Sequence, residues 1–232
     1  MMKKYKHIFF DLDHTLWDFE RNAEETKREM FEGFGLKTLG IENYDAFRSA
    51  YIEINQALWA LYRDDRIEKE ELNFRRFYDT LCVFGINDIE LGTQMAACFI
   101  EGISTKTYLF PFAAEILEYL YPKYKIHIIT NGFEEVQYSK LKNSGMDKFF
   151  TTVITSEEAG CKKPDLKIFE FAFNKSGALP DESLMIGDDL DVDIAGARLA
   201  GMDQIYVNHD NLNHNSQPTF EVKELKELLQ IL

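Results

Sequence analysis

Two aspartates one residue apart, Asp11 and Asp13, follow directly on the apolar run Ile8-Phe9-Phe10, with the hydroxyl of Thr15 two residues further on. Residues two apart in an extended or turning segment share a side, so both carboxylates reach one volume. Two carboxylates held together repel, which raises the pKa of one unless a cation lies between them. That leaves two arrangements, a metal site or a nucleophile paired with an acid/base. In the second, one carboxylate attacks phosphorus to give an acyl-phosphate; its neighbour protonates the leaving alkoxide and later deprotonates water. The same residues also suit a polar strand cap in which Asp13 closes an Asx turn.

Three further clusters carry complementary chemistry. Thr130, Asn131 and Gly132 follow the apolar run of "KIHIIT" and offer a hydroxyl, an amide and a closely approachable backbone N–H, neutral donors suited to phosphoryl oxygens. As an ordinary Asn-Gly turn they would do none of this. In "GCKKPD", Pro164 restricts Lys163 and aims its ammonium, which can neutralise a nucleophilic carboxylate and a transferring phosphoryl group, although a solvated lysine before a helix reads similarly. In "MIGDDLDVDIAGA", the four aspartates Asp188, Asp189, Asp191 and Asp193 crowd a strand end and a helix start. A helix N-terminus favours some of that charge, and a hard divalent cation such as Mg²⁺ would relieve the rest. Asp188, first after Gly187, is the expected metal ligand; Asp193 is expected to orient the loop or Lys163.

Positioning these groups requires strands that end together. "HIFF" (7–10), "KIHIIT" (125–130), "TTVIT" (151–155), "SLMIGD" (183–188) and "QIYVN" (204–208) are short β-rich runs separated by helical patterns. Nearly continuous apolar strands alternating with helices predict an α/β fold, a Rossmann-like parallel sheet with helices on both faces. Ligands bind beyond the carboxyl ends of such strands, where every cluster above sits. Residues 20–106 break the pattern with about 85 residues of helical periodicity and no strand. A crossover needs only about a dozen residues, so the excess predicts an all-helical cap inserted after the first strand. The expected division is a core of 1–18 and 107–232 with a cap of 19–106. Pro111 is expected in the first turn of the helix after the cap, and "EVKELKELLQIL" as a closing amphipathic helix.

Composition bounds the partners. With 26 Lys and Arg against 40 Asp and Glu, the net charge of −14 argues against nucleic acid, which needs a basic surface. A small anionic substrate remains compatible if the site focuses positive charge. The basic start "MMKK" meets only a three-residue apolar run, too short for a signal peptide, and no run approaches a membrane span, so a cytoplasmic protein is expected. Cys82, Cys98 and Cys161 form no zinc or redox spacing and read as buried structural thiols.

Taken in order, Asp11-x-Asp13-x-Thr15, Thr130-Asn131-Gly132, Lys163-Pro164 and Gly187-Asp188 with Asp193 resemble the four motifs of the haloacid dehalogenase superfamily, over nearly the whole chain. The resemblance implies that Asp11 is the nucleophile and Asp13 the general acid/base. It implies that Thr130 and Lys163 bind the phosphoryl group, and that Asp11, Asp188 and the Asp13 backbone carbonyl hold Mg²⁺. Thr15 is expected to brace the loop and His14 to be a bystander. Dehalogenases of the family lack the second aspartate, because a halide leaves without a proton; Asp13 therefore points to phosphate esters. Phe112 stands where relatives often carry glycine, a departure that bears on the hinge.

Substrate choice is expected in the cap. Asn55, Trp59 and Tyr62 fall on one helical face at i, i+4 and i+7, with Arg76 downstream. Such a stripe is more often core than a ligand site. With "IITNGF" and "ITSEEAGCKKPDLKIF" it resembles the bacterial pyrimidine-preferring nucleoside 5′-monophosphatase branch, where the aromatic face would stack a base and Arg76 would meet a polar edge or the phosphate. The expected function is a Mg²⁺-dependent phosphomonoesterase acting on a small phosphorylated metabolite, with a nucleoside monophosphate as the leading substrate. The alternatives are a sugar-phosphate phosphatase or phosphomutase, and, in another class, a non-catalytic binding or regulatory protein of the same fold.

Overall fold

Each β-rich run becomes a strand because its β-branched and aromatic side chains pack on both faces of a buried sheet. The computed structural model describes residues 5–232; the basic start at residues 1–4 lies outside them. Six parallel strands form one sheet: β1 (His7–Phe10), β2 (Lys125–Thr130), β3 (Phe150–Thr155), β4 (Ser183–Gly187), β5 (Asp203–Val207) and β6 (Phe220–Val222). Their order is β3-β2-β1-β4-β5-β6. The chain thus winds outward from β1 in one direction and returns through β4 in the other, which makes the β1 edge the switch point where ligands gather in such sheets.

The register decides what meets there. Phe10 pairs with Ile128 of β2 and with Ile186 of β4. Asp11 is therefore level with Ile129 and Gly187, and Thr130 and Asp188 come one residue later, at the same end of the sheet. The Asp11 N–H donates to the Ile186 carbonyl at 2.9 Å, carrying the alignment one step past the strand.

The chain divides into two compact units, one made of the chain up to Glu20 with Lys106–Leu232, the other of Arg21–Thr105. The second is built from α1 (Phe19–Gly33), which begins just before the boundary, α2 (Tyr44–Arg63), α3 (Lys69–Val83) and α4 (Ile89–Thr105). Asn43 caps α2 by accepting from the Ala46 N–H at 2.9 Å. Phe47, Tyr51, Phe77 and Phe99 fill its interior, with ring centroids 5.2 to 6.2 Å apart in sequence of contact.

Around the sheet lie α5 (Ala113–Leu120), α6 (Glu134–Asn143), α7 (Ser156–Ala159), α8 (Leu166–Ser176) and α9 (Ala195–Leu199). Phe9, Ile129, Ile154, Met185 and Phe169 form the core on the face that α8 and α9 cover. Where the chain leaves and re-enters this unit, the two stretches pair: Phe110 N–H donates to the Leu16 carbonyl at 2.9 Å and Asp18 N–H to the Tyr108 carbonyl at 3.1 Å.

Three expectations change. The expected closing helix is instead β6 followed by a 3₁₀ segment, Leu225–Gln230. Its Glu224 and Glu227 form a reciprocal capping box, and the pattern of apolar residues seats Leu225 and Leu228 without an α-helix. Pro111 precedes the first turn of α5, whose N-cap is Phe112. Phe112 has φ of 71°, the left-handed region that glycine enters without strain, so the departure seen in sequence keeps the glycine conformation with a bulkier residue. The three cysteines are half-buried, not fully buried, and form no disulfide.

Phe9 is fully buried, stacked on His127 at 4.6 Å and edge-on to Phe173 at 6.2 Å. Phe9→Ala is expected to destabilise the sheet unit by about 3–5 kcal/mol, read as a lowered urea midpoint.

Candidate active site

Lys163 is the centre of the site. Its Nζ donates to Asp11 Oδ1 at 2.5 Å and to Asp193 Oδ1 at 2.7 Å, and the residue is 2% exposed. Burial alone would lower the lysine pKa; the charges of Asp11 and Asp193 outweigh it and hold the ammonium above its ordinary range. Its backbone is fixed by Asn131, whose Oδ1 accepts from the Lys163 N–H at 2.8 Å and whose Nδ2 donates to the Lys163 carbonyl at 2.9 Å. The Lys163–Pro164 peptide is cis.

Asp193 reaches Lys163 because Gly187 has no side chain; a Cβ there would lie 2.3 Å from Asp193 Oδ2. The same Oδ2 accepts from the Asp189 N–H at 3.2 Å. Asp193 sits in a short π-helical turn, Leu190–Ile194, capped by Asp189, which accepts from the N–H groups of Asp191 and Val192. The crowding of aspartates thus separates into a cap, Asp189, and buried or half-buried groups that face inward, Asp188 and Asp193.

Asp188 Oδ1 accepts from Thr15 Oγ1 at 2.9 Å. Burial, then the charge of Asp193, pushes its carboxyl up to about 7, while the Thr15 bond pulls the other way. Carboxylate oxygens of Asp11, Asp188 and Asp193 all lie within 4.8 Å of one another. A crowded, buried set of hard oxygen donors whose charge is only partly matched by Lys163 fits a hard divalent cation such as Mg²⁺. Asp11 and Asp188 are the ligands it would use, since Asp193 already holds Lys163 and a backbone N–H.

The Thr130 hydroxyl accepts from the Gly132 N–H at 3.0 Å and from Gln137 Nε2 at 2.7 Å, which leaves its own O–H to donate. The side chain of Asn131 and the N–H of Gly132, expected to meet phosphate, are here engaged on Lys163 and Thr130. Asp13 is held by two residues outside the four sequence motifs. Lys140 Nζ donates to its Oδ1 at 2.6 Å and Gln137 Nε2 to its Oδ2 at 3.0 Å. Both lie on α6, one turn apart, in a stretch whose polarity reads as a solvated face. The only signal in sequence is that i, i+3 spacing directly after Asn131-Gly132. His14 lies beside this loop with φ of 63° and its ring 4.9 Å from Phe19.

The expected substrate residues of the helical unit lie as follows. Trp59 is half-buried and meets buried Tyr62 edge-on at 5.5 Å. Arg76 is drawn inside, its guanidinium 4.6 Å over Phe99 and bonded to Asn73 Oδ1 at 2.5 Å. Tyr51, bonded to Arg76, also donates to Asn55 Oδ1 at 3.5 Å and so joins the two polar groups.

A buried carboxylate one residue past β1, a lysine bridging it to the loop after β4 and a hydroxyl at the end of β2 meet at one edge of the sheet. The chain belongs to the haloacid dehalogenase-like hydrolases, whose family description matches residues 5–201. Within that family, it is 32% identical to the pyrimidine 5′-nucleotidase PynA of Streptococcus pneumoniae, over 98% of this chain and 95% of that one. It is 31% identical to the pyrimidine 5′-nucleotidase YjjG of Escherichia coli, over 99% and 98%. Other relatives are named glyceraldehyde 3-phosphate phosphatases. The magnesium-bound crystal structure of YfnB from Bacillus subtilis superposes with a TM-score of 0.89 at 29% identity, covering 99% of both chains. Among the described residues, no helix is long and apolar enough to cross a membrane.

Because the folded pKa of Asp188 lies above its unfolded value, protonation favours the folded state. That contribution is complete below about pH 4 and is lost as pH rises through about 7. In chelator, Asp188→Asn is therefore expected to stabilise the protein by about 2–4 kcal/mol at pH 8 and far less at pH 4.5. Urea denaturation at the two pH values checks this; an equal effect at both would contradict it.

Proposed function

We propose that the protein is a Mg²⁺-dependent phosphomonoesterase that works through an aspartyl-phosphate on Asp11, with nucleoside 5′-monophosphates as its substrates. The observation that carries this reading is the buried Lys163 ammonium shared between Asp11 and Asp193 at the end of β1. Burial, and the charges of Asp193 and Asp188, push the Asp11 carboxyl well above its ordinary range; the charge and hydrogen bond of Lys163 pull it back toward the ionised form, which is the form that attacks.

In the first step an Asp11 oxygen bonds to phosphorus, the ester P–O bond breaks and Asp13 gives its proton to the departing alkoxide. In the second, Asp13 takes a proton from water, the water oxygen bonds to phosphorus and the bond to Asp11 breaks. Inorganic phosphate leaves, Asp11 is restored as a carboxylate and Asp13 as the carboxylic acid. Thr130, with its free O–H, and Lys163 hold the phosphoryl oxygens. Mg²⁺, held by Asp11, Asp188 and the Asp13 carbonyl, would supply charge neutralisation at the phosphoryl group. Thr15 orients Asp188, and Asp193 orients Lys163.

The nucleotide preference rests on relatives named pyrimidine 5′-nucleotidases along almost the full chain. Residues 1–18 and 107–232 serve as the catalytic core and 19–106 as the substrate-selecting cap, with Asn55, Trp59 and Tyr62 as base-contacting candidates. Arg76 then acts through Tyr51 and Asn55 more than by direct contact, given its burial. Cysteines free of disulfides and an acidic net charge suit a cytoplasmic enzyme of small metabolites. A second reading, a sugar-phosphate phosphatase, is favoured by the relatives named glyceraldehyde 3-phosphate phosphatases.

A phosphate-release screen over nucleotides and sugar phosphates with Mg²⁺ decides between them, with Asp11→Asn as control. Release from nucleoside 5′-monophosphates, lowered at least about 10³-fold in Asp11→Asn, is expected. Release confined to sugar phosphates would move the substrate class. Release undiminished in the variant, or none from any ester, would remove the mechanism.

A further inference from the structure

We propose that Lys140 and Gln137 are positioning residues that aim the Asp13 carboxyl for proton transfer to the leaving group, an inference that rests on the phosphomonoesterase reading above. The two grip opposite oxygens of one carboxylate: Lys140 Nζ on Oδ1 at 2.6 Å, Gln137 Nε2 on Oδ2 at 3.0 Å. One donor leaves a carboxyl free to turn about its last bond; two donors on different oxygens fix its plane.

The burial is unequal in an informative way. The Lys140 side chain is 3% exposed, whereas that of Asp13 is 20% exposed, so the anchor is enclosed and the carboxyl it holds reaches solvent. Lys140 runs beneath the rings of Trp17 at 4.2 Å, from the loop that follows Asp13, and Phe19 at 5.3 Å, the first residue of α1. Enclosing an ammonium costs free energy that a surface ion pair would not, and α6 already packs through Val136 and Leu141 without it.

Gln137 has the same character. It is fully buried, and its Oε1 has no hydrogen-bond partner, an unsatisfied acceptor that persists at some cost. Its Nε2 serves Asp13 and Thr130 together, the latter at 2.7 Å. One amide thus fixes the distance between the proton-transfer group and a phosphoryl-binding hydroxyl. Gly132 makes room for it, since a Cβ there would lie 2.5 Å from the Gln137 amide. A helix built only to cover the sheet would need neither residue.

The role has a signature that lost packing lacks. An alkoxide needs a proton to leave, whereas p-nitrophenolate does not, and kcat/KM reports the step in which the alcohol departs. The experiment compares p-nitrophenyl phosphate with the best alkyl substrate among uridine 5′-monophosphate, glycerol 3-phosphate and glucose 6-phosphate, in Mg²⁺. Lys140→Met and Gln137→Met, each checked for a native unfolding transition, are expected to lower the alkyl-to-aryl ratio of kcat/KM by about tenfold or more. In an Asp13→Asn background the same substitutions are expected to leave that ratio where Asp13→Asn alone puts it, because they act through Asp13. Equal losses on both esters, no loss on either, or additive effects with Asp13→Asn would overturn the proposal. Wild-type hydrolysis of the aryl ester alone would also overturn it, since Asp13 would then protonate no leaving group. Wild-type inactivity on every ester would instead remove the phosphomonoesterase reading, and this inference with it.

Discussion

One buried cation organises the site. Three carboxylates, Asp11, Asp188 and Asp193, come from two neighbouring strand ends into a small, largely dry volume, and their mutual repulsion would open it without compensation. Lys163 supplies that compensation, touching Asp11 and Asp193 directly. Much of the surrounding local structure makes this contact available. Asn131 grips both backbone polar groups of Lys163, and the absent side chain of Gly187 lets Asp193 come close. Removing one member of such a set leaves a buried charge unmatched, which costs more than the pair contributes in place.

A second lysine keeps the two aspartates of the first loop distinct. Asp11 faces Lys163 and Asp193; Asp13, two residues on, turns to Lys140 and Gln137. Two adjacent carboxylates sharing one environment would share one proton between them. With separate partners, one is free to act as nucleophile and the other to carry protons. The loop's own geometry supports the divergence: His14, between them, takes a left-handed backbone conformation and donates its N–H to the Trp17 carbonyl at 3.0 Å.

The parts of this arrangement that were legible in the sequence are those in which residue type and place in the strand pattern coincide. Apolar runs ending in Asp11, Thr130 and Asp188 announced a parallel sheet with polar groups at one edge, and the register brings them level. What was hidden depends on tertiary contact. Gln137 and Lys140 lie in "EEVQYSKLKN", where polar residues on a helix signify solvent unless something buries them. Asn131 looked like a phosphate donor because an amide after a strand offers both donor and acceptor; which partner it takes is decided by a loop 32 residues away. Arg76 carried the charge expected of a ligand contact, yet its guanidinium lies over an aromatic ring inside the helical unit. The last apolar pattern fits a 3₁₀ segment as well as an α-helix over so few residues, and the β6 pairing decides between them.

Asp11, paired with Lys163, becomes covalently phosphorylated during turnover if it is the nucleophile. The most direct measurement turns the Mg²⁺-loaded enzyme over on p-nitrophenyl phosphate, whose good leaving group favours accumulation of the intermediate, and quenches with borohydride. Borohydride reduces an acyl-phosphate to an alcohol, so the account predicts homoserine at position 11 by peptide mass spectrometry, and only when substrate is present. Phosphate release with residue 11 unmodified, or reduction at a different carboxylate, would contradict it.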